Sequence, residues 1–212
     1  KHADDVDDKL GYGLLGIVPL LPKNKDQFDK KGFATDARYA AVRAFKNSEN
    51  HGFKESIRTL RTGLTLASLE NPAQCLLFTS TVPGEGKTTT SVNLATAYGQ
   101  MEKTLIIDAD MRRPTLAKQL GLAQGSKGLS NAVAYPDTLD ESIHHIEDLN
   151  IDVIPSGIIP PNPLELLASK NFEKILVTLR ARYDRIIIDS PPMAAVSDGL
   201  YFFESFIRAR KR

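Results

Sequence analysis

TSTVPGEGKTTT, Thr79–Thr90, follows the apolar run CLLF and leads into a helical pattern. Glycines at 84 and 86 let the backbone wrap closely, so successive N–H groups can face phosphate oxygens. The helix that follows adds its partial positive N-terminal charge. Lys87, expected to be exposed in a loop, supplies a mobile cation for terminal phosphates, and the Thr88 hydroxyl can ligate Mg²⁺. The general phosphate-loop pattern is G-x-x-x-x-G-K-[S/T]. Here Thr81 stands at the first glycine position, so the strict pattern fails while the GxGKT core remains. An ordinary glycine turn before a helix is the competing reading of the loop alone.

Two further stretches give it company. LIIDADMRRP places Asp108 and Asp110 at the end of an apolar run. If the strand continues through Asp110, both carboxylates point the same way. They can then hold a metal and accept a hydroxyl proton. Arg112 can neutralise phosphate or pair with an acid. RIIIDSPP ends a second apolar run on Asp189, the arrangement of an acid that binds Mg²⁺ directly or through water. A solvated strand end is the plain alternative for each. The three motifs support one another because each falls at the carboxyl edge of one sheet, where ligands bind in open parallel sheets.

The rest of the chain reads as scaffold. CLLFTS is expected to be a short buried strand, TTTSVNLATAYGQ a helix ending near Gly99, TLIIDAD a second strand, and PTLAKQL a short helix stopped by Gly121. IDVIPSG reads as a third strand, NPLELLASKNFEKILVTLRARY as one long helix with Pro163 in its first turn, and RIIIDSPP as a fourth strand. Continuous β-branched runs alternating with helices mean parallel strands covered on both faces, an α/β fold of the P-loop NTPase type. Between Thr35 and Leu69 apolar residues recur at helical spacing, giving one or two amphipathic helices with Gly52 a candidate break. Leu14–Leu21 is an edge strand or extended segment interrupted by Pro19.

Composition excludes more than it selects. The 212 residues carry 27 basic and 26 acidic side chains, net charge +1, without the basic excess that marks a nucleic-acid partner. One cysteine, Cys75, excludes an internal disulfide and a thiolate metal cluster, and reads as a buried, inert thiol. No run approaches the ~18 consecutive apolar residues of a membrane span. The first residue is Lys1, and no signal peptide pattern follows, so the chain reads as a piece of a longer protein on the reducing side of a membrane.

Taken together these motifs resemble the bacterial protein-tyrosine kinases, the cytoplasmic autokinase domains associated with capsular and exopolysaccharide chain-length control and export. PGEGKTTT is similar to their Walker A, LIIDADMRRP to their second Walker motif, and IIIDSPP to their Walker B. GLSNAV (Gly128–Val133) and IPSGIIPPNPLELLAS (Ile154–Ser169) resemble family connectors. FKESIRTLRTGL carries Glu55, Arg58 and Arg61, matching the family's E-x-x-R-x-x-R helix. The resemblance implies ring-like self-association through that helix; a solvated face with i,i+3 charge pairs is the alternative. It implies that Lys87 and the backbone of Gly84, Glu85, Gly86, Thr88 and Thr89 bind ATP phosphates, with Arg112 beside them. Thr88, Asp110 and Asp189 would hold Mg²⁺, and Asp108 and Asp110 would share metal support and the proton-acceptor role. Residues 1–34 resemble a juxtamembrane segment, and 35–212 the kinase domain. The implied setting is the cytoplasmic side of the inner membrane, with a transmembrane activator in the same or a partner chain and an opposing protein-tyrosine phosphatase.

The resemblance stops near Gly199. GLYFFESFIRARKR does not look like the family's further strands and tyrosine-rich tail, and the six tyrosines, Tyr12, Tyr39, Tyr98, Tyr135, Tyr183 and Tyr201, are scattered. A domain truncated at its C-terminal end, with an uncovered sheet edge, is the expectation. Two other readings remain. One is a partitioning-type ATPase switch, a class that usually carries another lysine early in its loop, absent from TSTVPGEGK. The other is an inactive nucleotide-binding assembly module.

Overall fold

The computed structural model describes residues 13–21, 37–69 and 73–193. The tail after Met193, with Tyr201 and the basic end, and the rest of the juxtamembrane-like segment, with Tyr12, lie outside the described residues.

Five short strands form one sheet: β1 (Cys75–Phe78), β2 (Thr104–Asp108), β3 (His144–Ile146), β4 (Ile151–Ile154) and β5 (Arg185–Asp189). Their order is β1-β5-β2-β4-β3. β1, β5, β2 and β4 run parallel, and β3 is antiparallel to β4. β2, β4 and β5 are built from isoleucine, leucine and valine because both faces of these strands are covered. Leu105, Ile107, Ile154, Ile186 and Ile188 face a core completed by Phe172, Ile175, Leu176 and Leu179. Ile106, Val153 and Ile187 face the opposite one, with Phe45, Ile57, Val92 and Leu94.

The helices on that second face are α1 (Ala37–Ala41), α2 (His51–Ala67), α3 (Lys87–Gly99) and α4 (Leu116–Leu120). On the first lie α5 (Leu129–Ala134), α6 (Pro163–Leu167) and α7 (Lys170–Arg180). α3 is buried along its whole length from Ser91 to Gly99. Its small residues, Ser91, Ala95, Ala97 and Gly99, let it lie between the sheet and α2. A Cβ at Gly99 would stand 2.5 Å from the Asn150 carbonyl oxygen, so only glycine fits there. Buried Asn93 accepts the Phe45 N–H at 2.7 Å and donates to the Ala41 and Thr89 carbonyls, tying the α1–α2 connection to α3.

Several expectations change. The single helix over 162–183 is two, because the Ser169 hydroxyl accepts the Phe172 N–H at 3.2 Å and caps a new start. β1 is half-buried rather than buried, because among the described residues it is the edge strand, and Cys75 is half-buried with it. β3 goes unforeseen: three residues are too few to display a period. Gly52 sits in the first turn of α2, and the break between the two helices falls at 42–50 instead. Residues 13–21 form no strand; Leu15 lies over Gly63 of α2. Among the described residues no helix is long and apolar enough to cross a membrane.

Candidate nucleotide site at the carboxyl edge of the sheet

β1, β5 and β2 are neighbours, so the three motifs at their carboxyl ends come together as the spacing predicts. Register puts Asp189 directly beside both Phe78 and Asp108. Gly84 and Gly86 adopt φ +87° and +85°, the left-handed region that lets the loop fold back before α3 begins. Gly86 is the N-cap of α3. The first-turn N–H groups, at Lys87, Thr88 and Thr89, have no partner within the helix and open toward the loop.

The loop is braced from within. The Glu85 carboxylate accepts the Thr81 and Val82 N–H groups at 2.8 and 3.3 Å, and so faces its own backbone. The Thr79 hydroxyl donates to the Pro191 carbonyl at 3.0 Å, and the Met193 N–H to the Ser80 carbonyl. The segment after Asp189 therefore supports the loop, and motif spacing missed this; the paired Pro191 and Pro192 were the available signal.

Lys87 does not stand in solvent. Its Nζ lies 2.6 Å from Asp189 Oδ1, and the two side chains are only 7% and 2% exposed. The Thr88 hydroxyl donates to Asp189 Oδ2 at 2.7 Å. Helix α3 starts at Lys87 itself, so the side chain is aimed along the sheet edge rather than out of a loop.

β2 ends at Asp108, and the chain turns instead of extending through Asp110. Buried Asp108 accepts the Asp110 and Leu116 N–H groups at 3.1 and 3.3 Å, so it closes its own turn. Asp110 is half-buried and accepts the Arg113 N–H, and Arg112 is exposed just beyond it. The two carboxylates therefore do different local jobs. Burial pushes the Asp108 carboxyl well above its usual range, and Asp189 and Asp110 push it further. Burial also raises Asp189, against the pull of Lys87 and the Thr88 hydroxyl. Three acids share this edge with one buried lysine.

That imbalance fits a small, hard cation. Thr88 and Asp189 offer oxygen donors, and Asp110 adds negative charge close by. Among the described residues no three acidic, histidine or cysteine side chains gather closely enough to hold a metal by themselves. An ion here takes its other ligands from phosphate and water, as Mg²⁺ does.

The helix expected to self-associate divides. Glu55 and Arg58 form an exposed i,i+3 pair. Arg61 is half-buried, and donates instead to the Ala97 carbonyl of α3 at 2.6 Å. Within this chain it ties α2 to α3.

The sheet order, the loop and the acids define a P-loop nucleotide-binding domain of the α/β class. A family model described as AAA domain matches residues 76–202. The tyrosine-protein kinase YwqD of Bacillus subtilis (strain 168) is 39% identical over 146 residues, 68% of this chain and 61% of that protein. The kinase domain of the Escherichia coli tyrosine kinase ETK superposes with a TM-score of 0.81, at 31% identity, over 96% of this chain and 78% of that one. The chimerical protein CapA2B2 gives 0.78, at 32% identity, over 96% and 81%. The chain therefore belongs to the bacterial protein-tyrosine kinase domain family. It spans about three fifths of YwqD.

Proposed function

We propose that the chain binds Mg-ATP at the carboxyl edge and transfers the γ-phosphoryl group to a tyrosine. The observation that carries this is the convergence of Lys87 and Thr88, in the first turn of α3, on Asp189 at the end of β5, with the charge of Asp110 close by. The loop N–H groups and Lys87 would cradle the β- and γ-phosphates, and Thr88 and Asp189 would hold the metal, with Asp110 nearby. The cation supplies charge neutralisation to phosphate oxygens. Asp110, less buried than Asp108, is our candidate for orienting the tyrosine hydroxyl and accepting its proton. The new O–P bond forms as the β–γ bridging bond breaks and ADP leaves; positioning and electrostatics carry the rate. Glu85 acts through the loop it braces and Arg112 through its charge.

The wider setting is part of the proposal. Self-association runs through the Glu55/Arg58/Arg61 helix, in a ring. A transmembrane activator in the same or a partner chain places the domain on the cytoplasmic side of the inner membrane. A protein-tyrosine phosphatase opposes it, and polysaccharide synthesis and export is the process regulated. Of the described tyrosines, Tyr135 is the most exposed at 68%, while Tyr98 and Tyr183 are 2% and 5% exposed.

The test is incubation of the purified chain with Mg-ATP beside Lys87→Met, with phosphotyrosine read by mass spectrometry. Phosphotyrosine in the wild type alone supports the kinase reading and maps the acceptor. ATP binding without phosphotyrosine favours the assembly-module reading, and phosphate release without it the ATPase switch.

A further inference from the structure

We infer that Tyr135 is a phosphoryl acceptor, modified by the site of a second copy of this chain. The inference rests on the kinase reading above and names a tyrosine that the reading leaves open.

Accessibility separates the described tyrosines. Tyr98 and Tyr183 are 2% and 5% exposed. The Tyr98 hydroxyl donates to the Arg61 carbonyl, and the Tyr183 hydroxyl to Asp152 at 2.8 Å. Each would have to leave the core to react. Tyr39 is 36% exposed, with the Arg43 guanidinium 3.7 Å from the centre of its ring. Tyr135 is 68% exposed, and its hydroxyl has no partner among the described residues.

The backbone presents it. Tyr135 ends α5 at φ −133° and ψ 87°, and the proline that follows favours this extended form. Its N–H donates to the Asn131 carbonyl at 2.8 Å, and its carbonyl accepts the Thr138 N–H and hydroxyl. Ala134, Tyr135, Pro136 and Asp137 are exposed in succession. The main chain is fixed at this corner while the ring stands in solvent, so phosphorylation requires no part of the fold to move.

The same anchoring keeps Tyr135 from its own site. α5 starts at the carboxyl edge, where the Leu129 and Ser130 N–H groups donate to the Pro155 and Ser156 carbonyls after β4. It carries the chain about 9 Å along the first face. Asp140 is then tied to Arg182, just before β5 begins at the amino end. Held between these anchors, Tyr135 cannot swing back to Asp110 of its own chain. Charge suits a second copy instead. Asp137 is exposed and has no ion partner among the described residues. Arg113, whose N–H donates to Asp110, is exposed at the donor edge. Asp137 of the acceptor can meet Arg113 of the donor as Tyr135 reaches Asp110. Tyr135 Oη then bonds to the γ-phosphorus, the β–γ bridging O–P bond breaks, ADP leaves, and the phenolic proton passes to the Asp110 carboxylate.

The experiment mixes Tyr135→Phe as donor with isotopically labelled Lys87→Met as acceptor in Mg-ATP, beside each protein and wild type alone. Phosphotyrosine is mapped by mass spectrometry. We expect phosphate on Tyr135 of the labelled chain, and Tyr135→Phe alone should lose most of the wild-type phosphotyrosine. Arg113→Glu in the donor should slow transfer to Tyr135 roughly tenfold, and Asp137→Arg in the acceptor should recover much of it. An unchanged rate with Arg113→Glu would overturn the charge match. Phosphate on Tyr135 of wild type but never on the labelled chain would overturn transfer between copies. Phosphotyrosine mapped only to other tyrosines would overturn Tyr135 as acceptor and leave the kinase reading standing. No phosphotyrosine in any sample would overturn the kinase reading, and this inference with it. Should Lys87→Met fail to fold, Lys87→Met with Asp189→Asn takes its place as acceptor.

Discussion

The two ends of the sheet handle charge in opposite ways. At the amino end nearly every charged group is paired. Arg185 reaches Glu102 at 3.1 Å, donates to the Ala73 carbonyl and stacks 4.5 Å from the centre of the Tyr98 ring. Gln74 bridges the Arg180 and Tyr183 carbonyls and accepts from Arg180. The Tyr183 hydroxyl donates to Asp152, which also pairs with His145, and burial and Asp152 push the phenol well above its usual range. At the carboxyl end, reached by the same strands, three acids confront one buried lysine. One end closes its own electrostatics; the other leaves a deficit that a cation and a polyphosphate together can fill. The amino end is structural alone, while the carboxyl end keeps unbalanced charge for a ligand.

The largest test of that division is Lys87→Met. We expect phosphoryl transfer to fall by at least about a hundredfold. Because Lys87 is buried against Asp189, the substitution should also cost about 3 kcal/mol of stability at neutral pH, and less in acid, where Asp189 is protonated. Denaturant melts at pH 7 and pH 4.5 check this. Adding Asp189→Asn should return stability without returning transfer. A loss of transfer with no loss of stability would mean that the pair contributes nothing to the apo fold.

At the amino end the expected pattern reverses. Gly99→Ala drives a methyl into the Asn150 carbonyl oxygen at 2.5 Å and the Ile151 side chain at 2.8 Å. It should cost about 1–3 kcal/mol. Mg-ATP affinity, measured below the variant's melting temperature, should stay near wild type, because the clash lies at the far end of α3 from the phosphate loop. A large affinity loss would show that the two ends are mechanically joined through α3.

A pH series sharpens the comparison at smaller amplitude. Asp108 and Asp189 have folded-state values raised above the unfolded one, near 3.8. The native state then binds more protons than the unfolded state above that pH, so these two groups stabilise the fold fully below about pH 3.8 and lose that contribution as pH climbs through the raised values. Free protein should therefore melt progressively lower on this account as pH rises toward neutrality, and Mg-ATP should recover part of the loss. A melting temperature that ignores Mg-ATP at pH 7 but responds at pH 5 would invert the sign.

Much of this was legible in the sequence, for identifiable reasons. Strand-end acids at Asp108 and Asp189 and the glycines at 84 and 86 announce themselves through local backbone rules, and the alternation of β-branched runs with helices gave the parallel sheet. Four things were not legible. Lys87 was read as exposed because a motif says which residue is present, not which carboxylate lies across from it on the neighbouring strand; that required the β1–β5 pairing. The turn at Asp110 depends on side-chain-to-backbone bonds at Asp108, which compete with an extended strand only once Asp108 is buried. β3 and the Ser169 cap are short-range decisions that a long apolar period conceals.

The helix α2 offers the finest cut, because one motif contains both kinds of arginine. Arg58 pairs only with Glu55 on an exposed face, and Arg61 spans to the Ala97 carbonyl of α3. Arg58→Ala should change stability by less than about 0.5 kcal/mol. If α2 supplies the outer contact we propose, it should also lower the sedimentation coefficient toward that of a monomer. Arg61→Ala should cost about 1 kcal/mol by opening the α2–α3 tie, and any effect on assembly should scale with that loosening. Substituting both then separates the roles, since residues that do not share a partner should add in stability. Equal sedimentation for wild type and Arg58→Ala would leave that face as a solvated charge pair. The motif's second arginine would keep its place for a reason internal to the fold.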